Sequence, residues 1–173
     1  MKKNRRKLII LALIVILLLV GYVVYTRPMS LAQLYPNTDF SHLSLMEGYR
    51  LVPDSPGSVP FNQEEFRAEP GSETYEALLK LLTEQEYRRS VLSPLRKGRR
   101  SYSSQAGDKL WCVTLFFDRE DLPNGSFTGS MLHIGTTFGK LDMSPSSPQE
   151  KSCTCFVKDQ KTWNEAIYDL IGS

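Results

Sequence analysis

The sequence is poor in the side chains that most enzymes use for chemistry. Histidine is scarce, with only His42 and His133 among 173 residues. Neither falls at ligand or triad spacing. His133 alternates with Leu132 and Ile134 in a strand-like pattern, where a histidine is expected to face solvent or hydrogen-bond to a neighbour. There is no Gly-rich phosphate loop, no HExxH and no nucleophile elbow. The stretch Ser93 to Lys97, "SPLRK", misses the Ser-x-x-Lys spacing of a Ser-Lys hydrolase. Asp118, Glu120 and Asp121 lack the alternating ligands and closing Glu of a calcium loop, so they read as a solvated hairpin turn. These absences argue against an enzyme, and no cofactor or metal is expected.

Cysteine is sparse too: Cys112, Cys153 and Cys155. An odd number cannot all pair within one chain, and exported disulfide scaffolds are much denser in cysteine. In a strand, Cys153 and Cys155 face the same way about 7 Å apart, too far to bond to each other without distortion. Three readings stay open. The thiols are reduced and buried, or Cys112 bridges to Cys153 or Cys155, or the set serves redox or metal chemistry.

What the chain does have is a long apolar run. Lys2, Lys3, Arg5, Arg6 and Lys7 precede Leu8 to Tyr25, which carry no charge. Eighteen residues at about 1.5 Å each make roughly 27 Å of helix, close to the hydrocarbon thickness of a bilayer. The exit of the run lacks the small-x-small pattern of a cleaved signal peptide, and no cysteine stands there for lipid attachment. An uncleaved anchor is the expectation. Its N-terminus should lie in the cytoplasm by the positive-inside bias, with Tyr22 and Tyr25 at the interface. A single helix with no ionisable residue inside it builds no transport pathway.

The formal charge of +2 hides a segregation. Without the five leading cations and Arg27, 15 basic side chains face 19 acidic ones, a net of −4. Six of the 15 lie between Arg88 and Arg100: Arg88, Arg89, Arg96, Lys97, Arg99 and Arg100. Pro94 and Gly98 break any helix there, so the cations should gather around a strand end and a turn. They have three uses: solvated and partly neutralised by the acidic stretch 61–86, engaged with an acidic protein, or engaged with an anionic surface. Nucleic acid is a poor partner for an acidic domain held outside a membrane.

The remaining pattern predicts one α+β domain. Ser30 caps a short turn, "LAQLYP", closed by Pro36. Residues 43–52 read as a strand, or two half-strands bent at Gly48, and 53–60 as loop. Residues 61–72 read as a weak extended segment. Ser72 opens a helix with Tyr75, Leu78, Leu79 and Leu82 on one face. Residues 109–118 form a strand apolar on both sides, hence central and covered front and back. Asn124-Gly125 marks the next turn, and strands follow over 126–135, 136–143 and 153–159. Thr162 and Glu165 make a capping box for a closing helix. The expected architecture is an antiparallel sheet meander with two main helices packed on it, behind a single N-terminal transmembrane helix. Its parts are a cytoplasmic tail (1–7), the anchor (8–26), a juxtamembrane segment (27–42) and the domain (43–173).

The order of these parts, with "SLAQLYPNTDFSHLSL", the leucine helix, the meander and "CFVKDQKTWNEAIYDLI", resembles uncharacterised small membrane-anchored extracytoplasmic proteins of Gram-positive bacteria. The resemblance implies an α+β module in the cell envelope with no catalytic residues to carry over. The missing lipid-attachment cysteine is a departure from it. The function expected is a non-enzymatic binding module engaging a neighbouring membrane protein or an anionic envelope polymer. The alternative is a small envelope enzyme or thiol-redox factor using Cys112, Cys153 and Cys155.

Overall fold

The structure is a computed structural model that describes residues 2–55, 60–91, 109–122, 126–137 and 140–173. Helix α1 (Lys2–Tyr25) exposes its aliphatic side chains all round. It is long and apolar enough to cross a membrane, as the run of uncharged residues predicts.

Among the described residues the domain is built on seven antiparallel strands: β1 (Leu43–Pro53), β2 (Pro60–Ala68), β3 (Tyr87–Arg89), β4 (Leu110–Asp121), β5 (Phe127–Thr137), β6 (Lys140–Pro145) and β7 (Cys153–Val157). Their order across the sheet is β2-β1-β4-β5-β6-β7-β3. Strands β4 to β7 make the expected meander. The segment 61–72 holds a full edge strand, β2, whose polar sequence hides it because an edge strand has a single neighbour. The chain then crosses the sheet through α3 (Glu73–Thr83) to reach the opposite edge as β3.

Period-two alternation sets the two faces. Met46, Trp111, Val113, Leu115, Phe117, Leu132, Ile134, Leu141, Met143 and Cys155 belong to the core on one side. Helices α3 and α4 (Gln160–Ile171) cover this side with Tyr75, Leu78, Leu82, Trp163, Ile167 and Ile171. Trp111 and Trp163 meet edge to face at 5.7 Å. Tyr75 donates its hydroxyl to the Leu43 carbonyl at 2.9 Å, and Tyr168 donates to that of Leu51 at 2.9 Å. These bonds tie each helix to β1.

Several local expectations shift. No described helix covers the second face of β4, where Leu110 and Phe116 are buried and Cys112 is half-buried. Phe116 packs edge to face on Phe127, with Arg119 over both rings. Strand β4 runs on to Asp121, so Asp118 to Asp121 lie in a bulged strand end rather than the turn. Asp118 adopts φ 50° there, facing Gly129 at φ 111°. The Asn124-Gly125 turn lies outside the described residues. At Gly48 the strand pairs on both sides without interruption, so the glycine is no bend. Thr162 does not cap α4, which starts two residues earlier behind Asp159, itself left-handed at φ 51°. Ser30 and Ser72 do cap their helices as expected.

The domain also begins before residue 43. Met29, Leu31, Leu34 and Tyr35 are buried in the core. Met29 exchanges both backbone hydrogen bonds with Tyr87, at 3.0 and 2.8 Å. Thus the segment 27–42 joins the folded unit.

Candidate functional site

Cys153 and Cys155 sit on β7 between β6 and β3. Cys153 is registered with Met143, and Cys155 with Leu141 and Arg89. Both thiols point to the helix side, because residues two apart on a strand share a face. Their backbones keep the strand spacing, yet the side chains converge until the sulfurs stand 3.3 Å apart. The expected 7 Å separation therefore does not extend to the sulfurs. Rotamers of two short side chains close it.

The third member comes from the other end of the chain. The reciprocal bonds of Ser30 and Gln33 close a single helical turn, α2 (Leu31–Leu34), and deliver Tyr35 under the sheet edge. Its hydroxyl lies 3.3 Å from the Cys153 sulfur. Glu150, in the loop before β7, accepts from the Asn37 backbone and the Thr38 hydroxyl, both at 2.9 Å. The Tyr35 turn is thereby clasped to the segment that leads into Cys153.

These neighbours split the titration of the group. The hydrogen bond between the two sulfurs lowers the Cys153 pKa to about 7, opposed by burial and helped by the Tyr35 hydroxyl and the charge of Arg89. The hydrogen bond to Cys153 and burial push Cys155 upward. Burial, then the nearby Cys153 sulfur, pushes Tyr35 upward. The result is a half-buried thiol that ionises more readily than an ordinary cysteine, beside two groups held protonated.

Cys153 opens onto a cleft of about 440 Å³, walled by Tyr25, Leu34, Pro36, Arg89 and Lys151. Tyr25 is the last residue of α1, so the cleft lies where the apolar helix meets the domain. Its size suits a ligand or a few side chains of a partner.

The structure does not bring Cys112 to this group. Cys112 lies on β4 with β5 and β6 between it and β7, three strand spacings or about 14 Å away. It also pairs with Tyr49 and Gly135, which puts it on the other face. A bridge from Cys112 to Cys153 or Cys155 is thus ruled out by register, and all three cysteines are outside any disulfide.

The basic segment divides as well. Arg89 takes the helix side and lines the cleft, while Arg88 points to the opposite face beside Phe156. Arg96, Lys97, Arg99 and Arg100 lie outside the described residues. In the acidic stretch 61–86, Glu64 pairs with Arg50 and Glu69 with Arg67 of the same stretch. His133 meets the Thr114 hydroxyl at 2.8 Å, and His42 meets Asp118 at 3.0 Å. Among the described residues, no three His, Cys, Asp or Glu side chains gather in a metal-binding cluster.

Sequence reasoning singled out the two close cysteines but missed Tyr35, whose only local signal was the capped turn before it. No family model, curated protein or solved structure matches the chain.

Proposed function

We propose that this is a single-pass membrane protein of a bacterial cell envelope, with its N-terminus in the cytoplasm and its α+β domain outside. The domain works as a binding module, and the cleft at the anchor end is its site. The observation that carries this reading is the position of the cleft. It is the meeting point of Tyr25, the Tyr35 turn, Arg89 on the edge strand and the Glu150–Cys153 segment. Arg89 and Lys151 are its cations, while the carboxylate of Glu150 is engaged by Asn37 and Thr38. An anionic partner is therefore favoured, either an acidic face of a neighbouring membrane protein or an anionic envelope polymer.

Crosslinking in intact cells followed by mass spectrometry tests this. The native chain is compared with one carrying Arg89→Gln and Lys151→Gln, and with one neutralised at all six positions from Arg88 to Arg100. Capture of a defined partner by the native chain, lost in the first variant, supports the cleft. Loss only in the six-fold variant moves the interface to the basic segment beyond it. Identical capture by all three chains refutes binding through these charges.

A further inference from the structure

We propose that Cys153 and Cys155 form a thiol–disulfide exchange centre that opens on the cleft, with Cys153 as the attacking thiol, Cys155 as the resolving thiol and Tyr35 as a hydrogen-bond donor to the attacking sulfur. The chemical class of its reactant is an aliphatic disulfide, on a small molecule or an exposed cystine of a polypeptide.

The geometry separates the two roles. Cys153 is half-buried and reaches the cleft, whereas Cys155 is fully buried behind it. An incoming disulfide meets only Cys153. The Cys155 sulfur waits 3.3 Å from the Cys153 sulfur, close enough to displace whatever becomes attached there. The Tyr35 hydroxyl, 3.3 Å away on another side, is a second donor that favours the ionised form of Cys153.

The step balances as follows. The Cys153 thiolate attacks one sulfur of the reactant. A bond forms between them, the reactant's S–S bond breaks, and one thiolate leaves and takes up a proton. Cys155 then gives up its proton and attacks the Cys153 sulfur. The Cys153–Cys155 bond forms, and the second thiolate leaves with the Cys155 proton. Two electrons pass from the dithiol to the reactant, which ends as two thiols.

The product disulfide closes across Thr154, in an extended strand whose residue spacing lies at the upper limit that a disulfide spans. Thr154 is held on both sides: its carbonyl accepts from the Ser90 N–H at 2.8 Å, and its hydroxyl donates to Asp142 at 2.7 Å. Closing the ring strains this segment, and strained disulfides are readily reduced. The centre is therefore reversible and passes electrons both ways with thiols and disulfides of its surroundings.

The test uses the full chain in detergent or lipid nanodiscs, reduced and then freed of reductant. Glutathione disulfide is one reactant and a disulfide-linked peptide dimer the other, so a small and a polypeptide source are told apart by their rates. The expected result at neutral pH is loss of two of the three thiols, with two product thiols released and Cys112 untouched. Cys155→Ser should stop at a mixed disulfide on Cys153. Tyr35→Phe should shift the pH midpoint of the first step upward, which a purely structural role would not do. Retention of all three thiols by the folded native chain, or attachment of the reactant at Cys112 alone, overturns the proposal. The small probe makes this outcome independent of whether the cleft binds a macromolecule.

Discussion

The hydroxyl of Tyr35 and the sulfur of Cys153 are 118 positions apart in the chain and 3.3 Å apart in the fold. The group that Tyr35 and Cys153 form with Cys155 gives folding stability a defined pH dependence, the Cys155 hydrogen bond being the larger cause and the Tyr35 one the smaller. The folded Cys153 ionises at about 7 against an ordinary 9.0. Between these values the unfolded chain holds the proton that the folded chain has released, so stability rises with pH. Cys155 and Tyr35 are shifted the other way. Above pH 9 to 10 the folded chain keeps protons that the unfolded chain loses, and stability falls. Urea unfolding of the reduced protein should therefore show an optimum near pH 9, and Cys153→Ser should remove the rising limb. A flat profile from pH 6 to 9 in the native chain contradicts the assigned thiolate.

The true start of the domain is open to a truncation experiment. A chain beginning at residue 27 keeps Met29, Leu31, Leu34 and Tyr35, whereas one beginning at 43 loses all four. Burying each such side chain contributes about 1.5–3 kcal/mol, against a typical total stability of about 5–15 kcal/mol. The longer piece should melt cooperatively, and the shorter should show no cooperative transition by circular dichroism. Equal melting of both would place these four residues outside the stability core.

Gly48 is predicted to tolerate no side chain. Strand β1 is paired on both sides there, and a Cβ at this position would run into the Cys112 carbonyl oxygen and the Phe66 ring. Backbone cannot yield as a flexible side chain does. Gly48→Ala should lower stability by about 1–3 kcal/mol or more, measured as the urea midpoint with an unchanged slope.

Asp159 predicts the opposite sign. It occupies a left-handed conformation at φ 51° and gives α4 no side-chain cap. Asp159→Gly relieves the Cβ clash of that conformation at some cost in unfolded-state entropy. The net expectation is a gain of up to about 1 kcal/mol, and a lower melting temperature would show that the aspartate makes a contact worth keeping.

Much of the fold was legible because its signals are local. Ser72 and the spacing Tyr75, Leu78, Leu79, Leu82 fix α3 within a dozen residues. The alternation in β4 names both of its faces, including Trp111, Val113, Leu115 and Phe117 on the core side. The reading failed where a neighbour distant in sequence decides. Gly48 reads as a bend until Val113 and Phe66 are known to pair with it on either side, with the Cys112 carbonyl where a Cβ would sit. Thr162 and Glu165 have the letters of a capping box, but the exit from β7 starts the helix at Gln160 instead. The reading of β4 as covered on both sides holds, since Leu110, Thr114 and Phe116 on its second face are buried, although Cys112, Thr114 and His133 make that face semi-polar. The candidate site was half legible. A Cys-x-Cys pair in a strand announces two thiols on one side, but nothing in the spacing points to a tyrosine 118 positions earlier.

The paired backbone bonds between Met29 and Tyr87 have a mechanical consequence. Only Thr26, Arg27 and Pro28 separate the end of α1 from that clamp. Four Cα steps reach at most about 15 Å. With α1 in a bilayer, this tether is too short for the domain to wander into bulk solvent or to turn its clamped edge far from the headgroups. Molecules embedded in or lying on the membrane then share a thin layer with the cleft and meet it by lateral diffusion, at an effective concentration that no freely soluble copy of the domain attains.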